Sequence, residues 1–283
     1  MRRIQLIILL GLLVASTVAA KRNKQLVILH TNDTHSTIMP LKAELADTSL
    51  AGRGGCLRRM AMIEEERRKC PELLLIDSGD FSQGSSYYTM FKGDVEIELM
   101  NAMGYDAVTI GNHEFDFGLD NMARLFRQAK FPIVCSNYDF TGTVLDGLVK
   151  PYVMLKRAGV KIGLFGLCPK LQGLVAVKNY GDVKYLDPTE VAQRMADLLR
   201  GQEKCDLVIC ISHLGWDGAA YPDNTVIEQT NGIDLVLGGH THTYMKQLMY
   251  VNNKDGRPVA VDQNGKHAVF VGKLVLDLRK LRK

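Results

Sequence analysis

Ala107-Val108-Thr109-Ile110-Gly111-Asn112-His113-Glu114 carries in eight residues the pattern that governs the whole chain. A short run rich in β-branched residues gives way, at a glycine, to a carboxamide, an imidazole and a carboxylate. Such a run bounded by Gly reads as a buried strand, which puts the polar trio at its carboxyl end. The same order recurs four times. Leu26-Val27-Ile28-Leu29 leads into His30-Thr31-Asn32-Asp33-Thr34-His35, and Leu73-Leu74-Leu75-Ile76 into Asp77-Ser78-Gly79-Asp80. Leu207-Val208-Ile209-Cys210-Ile211 leads into Ser212-His213, and Leu235-Val236-Leu237 into Gly238-Gly239-His240-Thr241-His242. The hydrophobicity is continuous rather than alternating, so both faces of each strand are covered.

Helical periodicity fills the intervals. It spans 57–69, with Met60, Ile63 and Leu57 toward one face, and 95–103, with Ile97, Met100 and Met103 in phase. It returns over 121–130, with Leu125 and Phe126, and over 188–200, where Asp187 is placed to cap and Pro188 to open the helix. Strands alternating with helices indicate an α/β fold built from βαβ units. Open α/β sheets form their sites beyond the carboxyl ends of the strands. All five polar clusters fall there, which predicts one shared site. A hairpin is expected from 152–156 and 161–167, and further antiparallel strand from 259–261 and 268–278. No repeat, low-complexity tract or linker divides the chain, so a single domain is expected.

The chain has 283 residues, 46% hydrophobic and 23% charged, an ordinary globular composition. Its first twenty residues read differently. Met1-Arg2-Arg3 precedes an apolar run from Ile4 to Val14 and the small residues Ala15-Ser16-Thr17-Val18-Ala19-Ala20, the order of a secretory signal peptide cut after Ala20. The run is shorter than the ~20 residues a membrane span needs. The expectation is a signal peptide at 1–20, a single domain at 21–283, and an exported protein, periplasmic or extracellular, with no stable membrane span after cleavage. The net charge of +4 is weighted by the start and by Arg279-Lys280-Leu281-Arg282-Lys283. No basic patch is interleaved with aromatics, so nucleic-acid polymers are not expected partners. Six cysteines in an exported chain invite a disulfide reading. Cys135, Cys168 and Cys210, however, sit in apolar runs, where a free thiol behaves as a small hydrophobe.

Five of the seven histidines, His35, His113, His213, His240 and His242, lie just past an expected strand. His30 and His267 lack such company and stay unassigned. Asp, His and Asn without thiolate form a donor set suited to Zn, Mn, Fe or Mg. Asp33-x-His35 and His240-x-His242 place each pair on one side of an extended segment, because strand side chains alternate. With Asp80, Asn112 and His213 they supply enough donors for two ions. Asp80, after Gly79 in a tight loop, is the candidate shared carboxylate. Two ions ~3.5–4 Å apart clamp an in-line displacement at phosphorus and lower the pKa of water toward ~7, so no side-chain nucleophile is required. His113, with Asp116 three residues on, reads as a pair in which the carboxylate orients the ring to stabilise charge and assist the leaving oxygen. A further metal-ligand role for His113 stays open.

These blocks, present in order, resemble the signature of the calcineurin-like metallophosphoesterases. The surrounding residues, Leu29 to His35, Gly111 to Asp116 and Gly238 to His242, are similar to the N-terminal catalytic domain of the 5′-nucleotidase family. That family also holds 2′,3′-cyclic-nucleotide phosphodiesterases and nucleotide-sugar hydrolases. The resemblance, over 26–278, implies a four-layer α-β-β-α sandwich and hydrolysis of nucleotide phosphate esters. It implies two divalent ions, one held by Asp33, His35, Asp80 and His242, the other by Asp80, Asn112, His213 and His240, with His113 and Asp116 as the catalytic dyad. Family enzymes usually continue into a second domain that grips the base, whereas this sequence stops at Lys283. Either that domain is a separate polypeptide partner or this domain acts alone with broad specificity. Tyr87, Tyr88, Phe91 and Trp216 could contact a base, or belong to a lid or the core.

Overall fold

The computed structural model describes residues 25–218 and 220–279. The expected signal peptide, and all of the basic tail but Arg279, lie outside the described residues. The first half of the chain runs β1 (Gln25–Thr31), α1 (Cys56–Lys69), β2 (Leu74–Asp77), α2 (Ser86–Phe91), α3 (Asp94–Met103), β3 (Ala107–Val108), α4 (Gly118–Gln128), β4 (Ile133–Val134), β5 (Tyr138–Asp139) and β6 (Val149–Lys150). The second half runs β7 (Tyr152–Arg157), β8 (Val160–Leu167), α5 (Val177–Tyr180), β9 (Lys184–Tyr185), α6 (Pro188–Asp197), β10 (Leu207–Ser212), α7 (Asp223–Gln229), β11 (Leu235–Leu237), β12 (Met249–Asn252), β13 (Pro258–Asp262) and β14 (Gly272–Asp277).

Two six-stranded sheets result, ordered β14-β1-β2-β3-β4-β6 and β12-β13-β11-β10-β8-β7. The inner strands of each are parallel; β14, β12 and β7 pair antiparallel at the edges. Three apolar layers define the stacking. Leu26, Ile28, Leu74 and Ile76 of the first sheet meet Ile162, Leu164, Ile209, Ile211, Leu235 and Leu237 of the second. The outer face of the first sheet, with Leu29, Leu75 and Val108, is covered by Ile63 of α1, Ile97 and Met100 of α3, and Leu125 of α4. Val208, Cys210 and Val236 on the outer face of the second are covered by Val191 and Met195 of α6 and by Val226 and Ile227 of α7. The protein is thus a helix–sheet–sheet–helix sandwich. Each large side chain buried this way contributes about 1.5–3 kcal/mol, which explains the unbroken apolar runs.

Local chemistry sets the element ends. Asp187 Oδ1 accepts from Thr189 N (2.9 Å) and Glu190 N (3.1 Å), with Pro188 opening α6. The β7–β8 hairpin closes through Ala158 and Gly159, both at positive φ, the two-residue turn whose twist matches the strands. Some expectations need correction. Leu57 is 76% exposed; α1 buries Cys56, Arg59 and Ile63 instead. Helix α4 starts at Gly118 rather than 121, and β14 at Gly272 rather than 268, because Ala268 sits in the left-handed region. Strand β12 is an addition to the expected elements: Leu248 to Val251 is apolar, yet the strand lies mostly exposed at a sheet edge. The six cysteines are free thiols, five of them buried.

Candidate metal centre

The loops after β1, β2, β3, β10 and β11 converge at one end of the sandwich and bring the sequence-predicted donors together. Asp33 (φ 48°), His35 (φ 43°), Asp80 (φ 55°), His240 (φ 73°) and His242 (φ 54°) all adopt left-handed backbone. That conformation costs a non-glycine residue roughly 1–2 kcal/mol and persists only where the surroundings enforce it. Here the first two loops are laced together: Asp33 N donates to Gly79 O (2.9 Å), His35 N to Asp80 O (3.0 Å) and Ser36 N to Phe81 O (2.9 Å). The alternation argument for Asp33-x-His35 and His240-x-His242 is therefore wrong. Neither pair lies on extended backbone; both turn sharply, and the second pair is split between two groups.

One group unites Asp33, His35 and His242; another unites Asp80, His213 and His240; a third unites His35, Asp80 and His113. Donor atoms within each lie no more than 4.8 Å apart. Asp80 links two of the groups and His35 links two. His242 Nε2 is 3.4 Å from Asp33 Oδ1, and His213 Nε2 is 3.1 Å from Asp80 Oδ2. His35 Nε2 and His242 Nε2 face each other at 2.9 Å. His213 Nδ1–H donates to Ser78 O (2.6 Å), which fixes the tautomer and turns the Nε2 lone pair inward. That Nε2 and Asn112 Oδ1 are both buried without a hydrogen-bond partner. Buried polar atoms are normally satisfied, so an orphaned ring nitrogen lying 3.1 Å from Asp80 Oδ2 and 3.8 Å from Asp33 Oδ1 fits a cation.

The electrostatics follow from burial among charges. Burial pushes His35 down, and it pushes His240 down to about 4 with the help of the His213 charge. Burial would lower His213 too, but with no cation between them Asp80 and Asp33 outweigh it and hold that ring up at about 10; an arriving ion takes the place of the Nε2 proton. Burial opposes the Asp80 carboxylate, yet His213, His113 and His35 keep it well below the usual range.

His113 and Asp116 stand together as expected from the sequence. Nδ1 lies 3.1 Å from Asp116 Oδ2, while the His113 backbone N–H donates to Asp80 Oδ1 (2.9 Å). Burial works against a charge on His113; Asp116 and Asp80 outweigh it and raise its pKa. Two residues gain a place the sequence did not reveal. Glu114, quoted in the motif without a role, accepts from Gly111 N (2.6 Å), Asp80 N (3.0 Å) and Ser82 N (3.1 Å), pinning the loop after β2 to its own. His267 donates its backbone N–H to Asp33 O (2.7 Å), and its ring lies 6.0 Å from that of His35. His30 points elsewhere: it pairs with Asp262 (2.9 Å). Of the aromatics, Tyr88 is buried with its hydroxyl donating to His113 O (3.2 Å), Trp216 packs on the second sheet's helix-facing core, and Tyr87 and Phe91 are exposed. No helix among the described residues is long and apolar enough to cross a membrane.

The sequence pattern of the calcineurin-like phosphoesterases matches residues 26–244. Human 5′-nucleotidase is 30% identical over 273 residues, which are 89% of this chain and 46% of that protein. The trifunctional nucleotide phosphoesterase protein of Bacillus subtilis is 31% identical over 281 residues, 88% of this chain and 18% of that one. Among solved structures, the 5′-nucleotidase precursor from Thermus thermophilus superposes with a TM-score of 0.80 at 29% identity, over 89% of this chain and 51% of the other. The chain thus spans less than half the length of these two curated relatives.

Proposed function

This chain belongs to the calcineurin-like phosphoesterase family, and from that premise we propose that it is a two-metal hydrolase of phosphate esters whose substrates are nucleotides. One ion would be held by Asp33, His35, Asp80 and His242, the other by Asp80, Asn112, His213 and His240. The observation that carries this reading is a pair of buried atoms left without a hydrogen bond, His213 Nε2 and Asn112 Oδ1, the first of them grouped with Asp80 and His240 in a site that also holds two opposed imidazole nitrogens. Divalent ions in such a site supply Lewis acidity toward phosphoryl oxygens and a water-derived nucleophile at neutral pH.

The protein's own groups do the rest. Asp116 takes the Nδ1–H of His113 and so leaves Nε2 to face the reacting group, the arrangement a general acid needs. A protonated His113 holds positive charge where the phosphoryl charge develops and passes its proton to the departing oxygen. Glu114 keeps the loops bearing Asp80 and Asn112 in register and touches no substrate. Nucleotide specificity is supported by the relatives above; cyclic nucleotides and nucleotide sugars are the neighbouring substrate classes. We further read residues 1–20 as an export signal and residues 21–283 as the hydrolase domain. Phosphate release with added Mn²⁺ or Zn²⁺, from 5′-AMP, 2′,3′-cyclic AMP and an aryl phosphate, tests the reading. Turnover of 5′-AMP that Asp80→Ala abolishes supports it; no release from any ester with two ions bound overturns it.

A further inference from the structure

Two carboxylates outside the centre repeat one arrangement. Glu96, in the first turn of α3, is 4% exposed, and Asp223, which opens α7, is 2% exposed. They come from opposite helix layers, α3 over the first sheet and α7 over the second. Each accepts from the hydroxyl of a serine adjacent in sequence to a donor histidine. Ser36, next to His35, donates to Glu96 Oε1; Ser212, next to His213, donates to Asp223 Oδ1. The second oxygen of each carboxylate is buried without a hydrogen-bond partner. A carboxylate taken out of water is costly unless its lone pairs are met, so both are poor choices for stability alone.

The serines pass the restraint on. His35 and Ser36 both hold left-handed backbone, at φ 43° and 49°, which persists only where the surroundings enforce it. With its hydrogen given to Glu96, the Ser36 hydroxyl accepts from Ser85 Oγ, which in turn accepts from Tyr88 N in the first turn of α2. On the other side, Ser212 Oγ accepts from Leu214 N (3.1 Å), and Asp223 N donates to Gly215 O (2.8 Å). His213 is thus flanked by two residues tied to one carboxylate-bearing turn. His35 stands with Asp33 and His242, and His213 with Asp80 and His240, so each assigned ion has one serine–carboxylate clasp.

We propose that Glu96 and Asp223 are positioning residues, each fixing through its serine the histidine of one ion: Glu96 holds His35, and Asp223 holds His213. The proposal rests on the two-ion reading above, but its readout is metal binding rather than ester hydrolysis. Mn²⁺ is titrated into the full chain by calorimetry, and anomalous diffraction from crystals at limiting Mn²⁺ assigns the weakened site. Glu96→Ala weakens the ion beside His35 and His242 by about 10–100-fold, the loss expected when a group behind a ligand is removed. It leaves the ion beside His213 and His240 within about threefold of wild type. Asp223→Ala does the reverse. Ser36→Ala and Ser212→Ala, which keep the carboxylates and remove only the hydroxyls, repeat the two patterns and carry the test where an alanine at 96 or 223 does not fold. Glu96→Gln and Asp223→Asn, whose amide oxygen still accepts from the serine, restore both affinities. Equal weakening of both ions by each variant, or no weakening by either serine variant, overturns the proposal. So does a loss in Glu96→Gln and Asp223→Asn that matches the alanine variants, since it places the effect in the charge. Two ions bound with these selective losses, and no ester hydrolysed, contradict the hydrolase reading and uphold the clasps. A wild type that takes up a single ion overturns both.

Discussion

Gly111→Ala probes how tightly the site is built around Asp80. A Cβ at Gly111 would sit 2.1 Å from Asp80 Oδ1, 2.6 Å from its backbone nitrogen and 2.7 Å from its Cγ. Real Cβ contacts essentially never fall under 3.0 Å, so the carboxylate has to retreat by about 1 Å. Coordination distances tolerate roughly ±0.2 Å, and Asp80 is the donor assigned to both ions. The retreat therefore removes a ligand from each. Overpacking of this kind costs about 1–3 kcal/mol, and in a domain of this size each kcal/mol lowers Tm by about 2–4 °C. The metal-free variant is accordingly expected to melt about 2–12 °C lower and still fold. Isothermal titration with Mn²⁺ or Zn²⁺ is expected to show both affinities reduced at least tenfold. Gly201→Ala is the control, since a Cβ there meets nothing within 4 Å. Two ions bound to Gly111→Ala with unchanged affinity would refute the placement of Asp80 between them.

Other perturbations separate the roles. His113→Ala is expected to keep its metal content while turnover drops at least a hundredfold, in the range general acid–base catalysis contributes; loss of an ion, measured by elemental analysis, would make His113 a ligand. Glu114→Gln replaces one of the two oxygens that accept from three backbone N–H groups with a donor, so at least one buried amide N–H loses its partner, and stability should fall by about 1–3 kcal/mol in urea unfolding. Asp77 is raised from 3.8 to about 7, burial outweighing the bonds from Thr31 and Gly79. The folded chain therefore holds a proton that the unfolded chain has released between those two values, and stability declines as pH rises from about 4 to about 7. Asp77→Asn, compared with wild type by metal-free unfolding at pH 5 and pH 8, should flatten that decline; an unchanged slope would place the titration elsewhere.

Much of this architecture was legible because burial on both faces leaves a direct mark. Ile28, Ile76, Ile209 and Leu237 had to be apolar to fill the layer between the sheets, and their continuity with the flanking residues marked the parallel strands. The donors were legible because each follows such a run. What the sequence concealed depends on backbone angles and long-range contact. Asp33-x-His35 looks extended, yet hydrogen bonds from the neighbouring loop force both residues into the left-handed region. Glu114 gives no sign of its three backbone partners, and His267 stands beside His35 only because β14 folds back along β1. The apolar run Leu248 to Val251 gives no sign that β12 lies mostly exposed at a sheet edge.

The central claim, that two ions share Asp80, is tested most directly by anomalous diffraction from crystals of the Mn²⁺-loaded chain. The account predicts two peaks about 3.5–4 Å apart, one among Asp33, His35 and His242, the other among Asn112, His213 and His240, with Asp80 touching both. A single peak, or two that do not share Asp80, would contradict it.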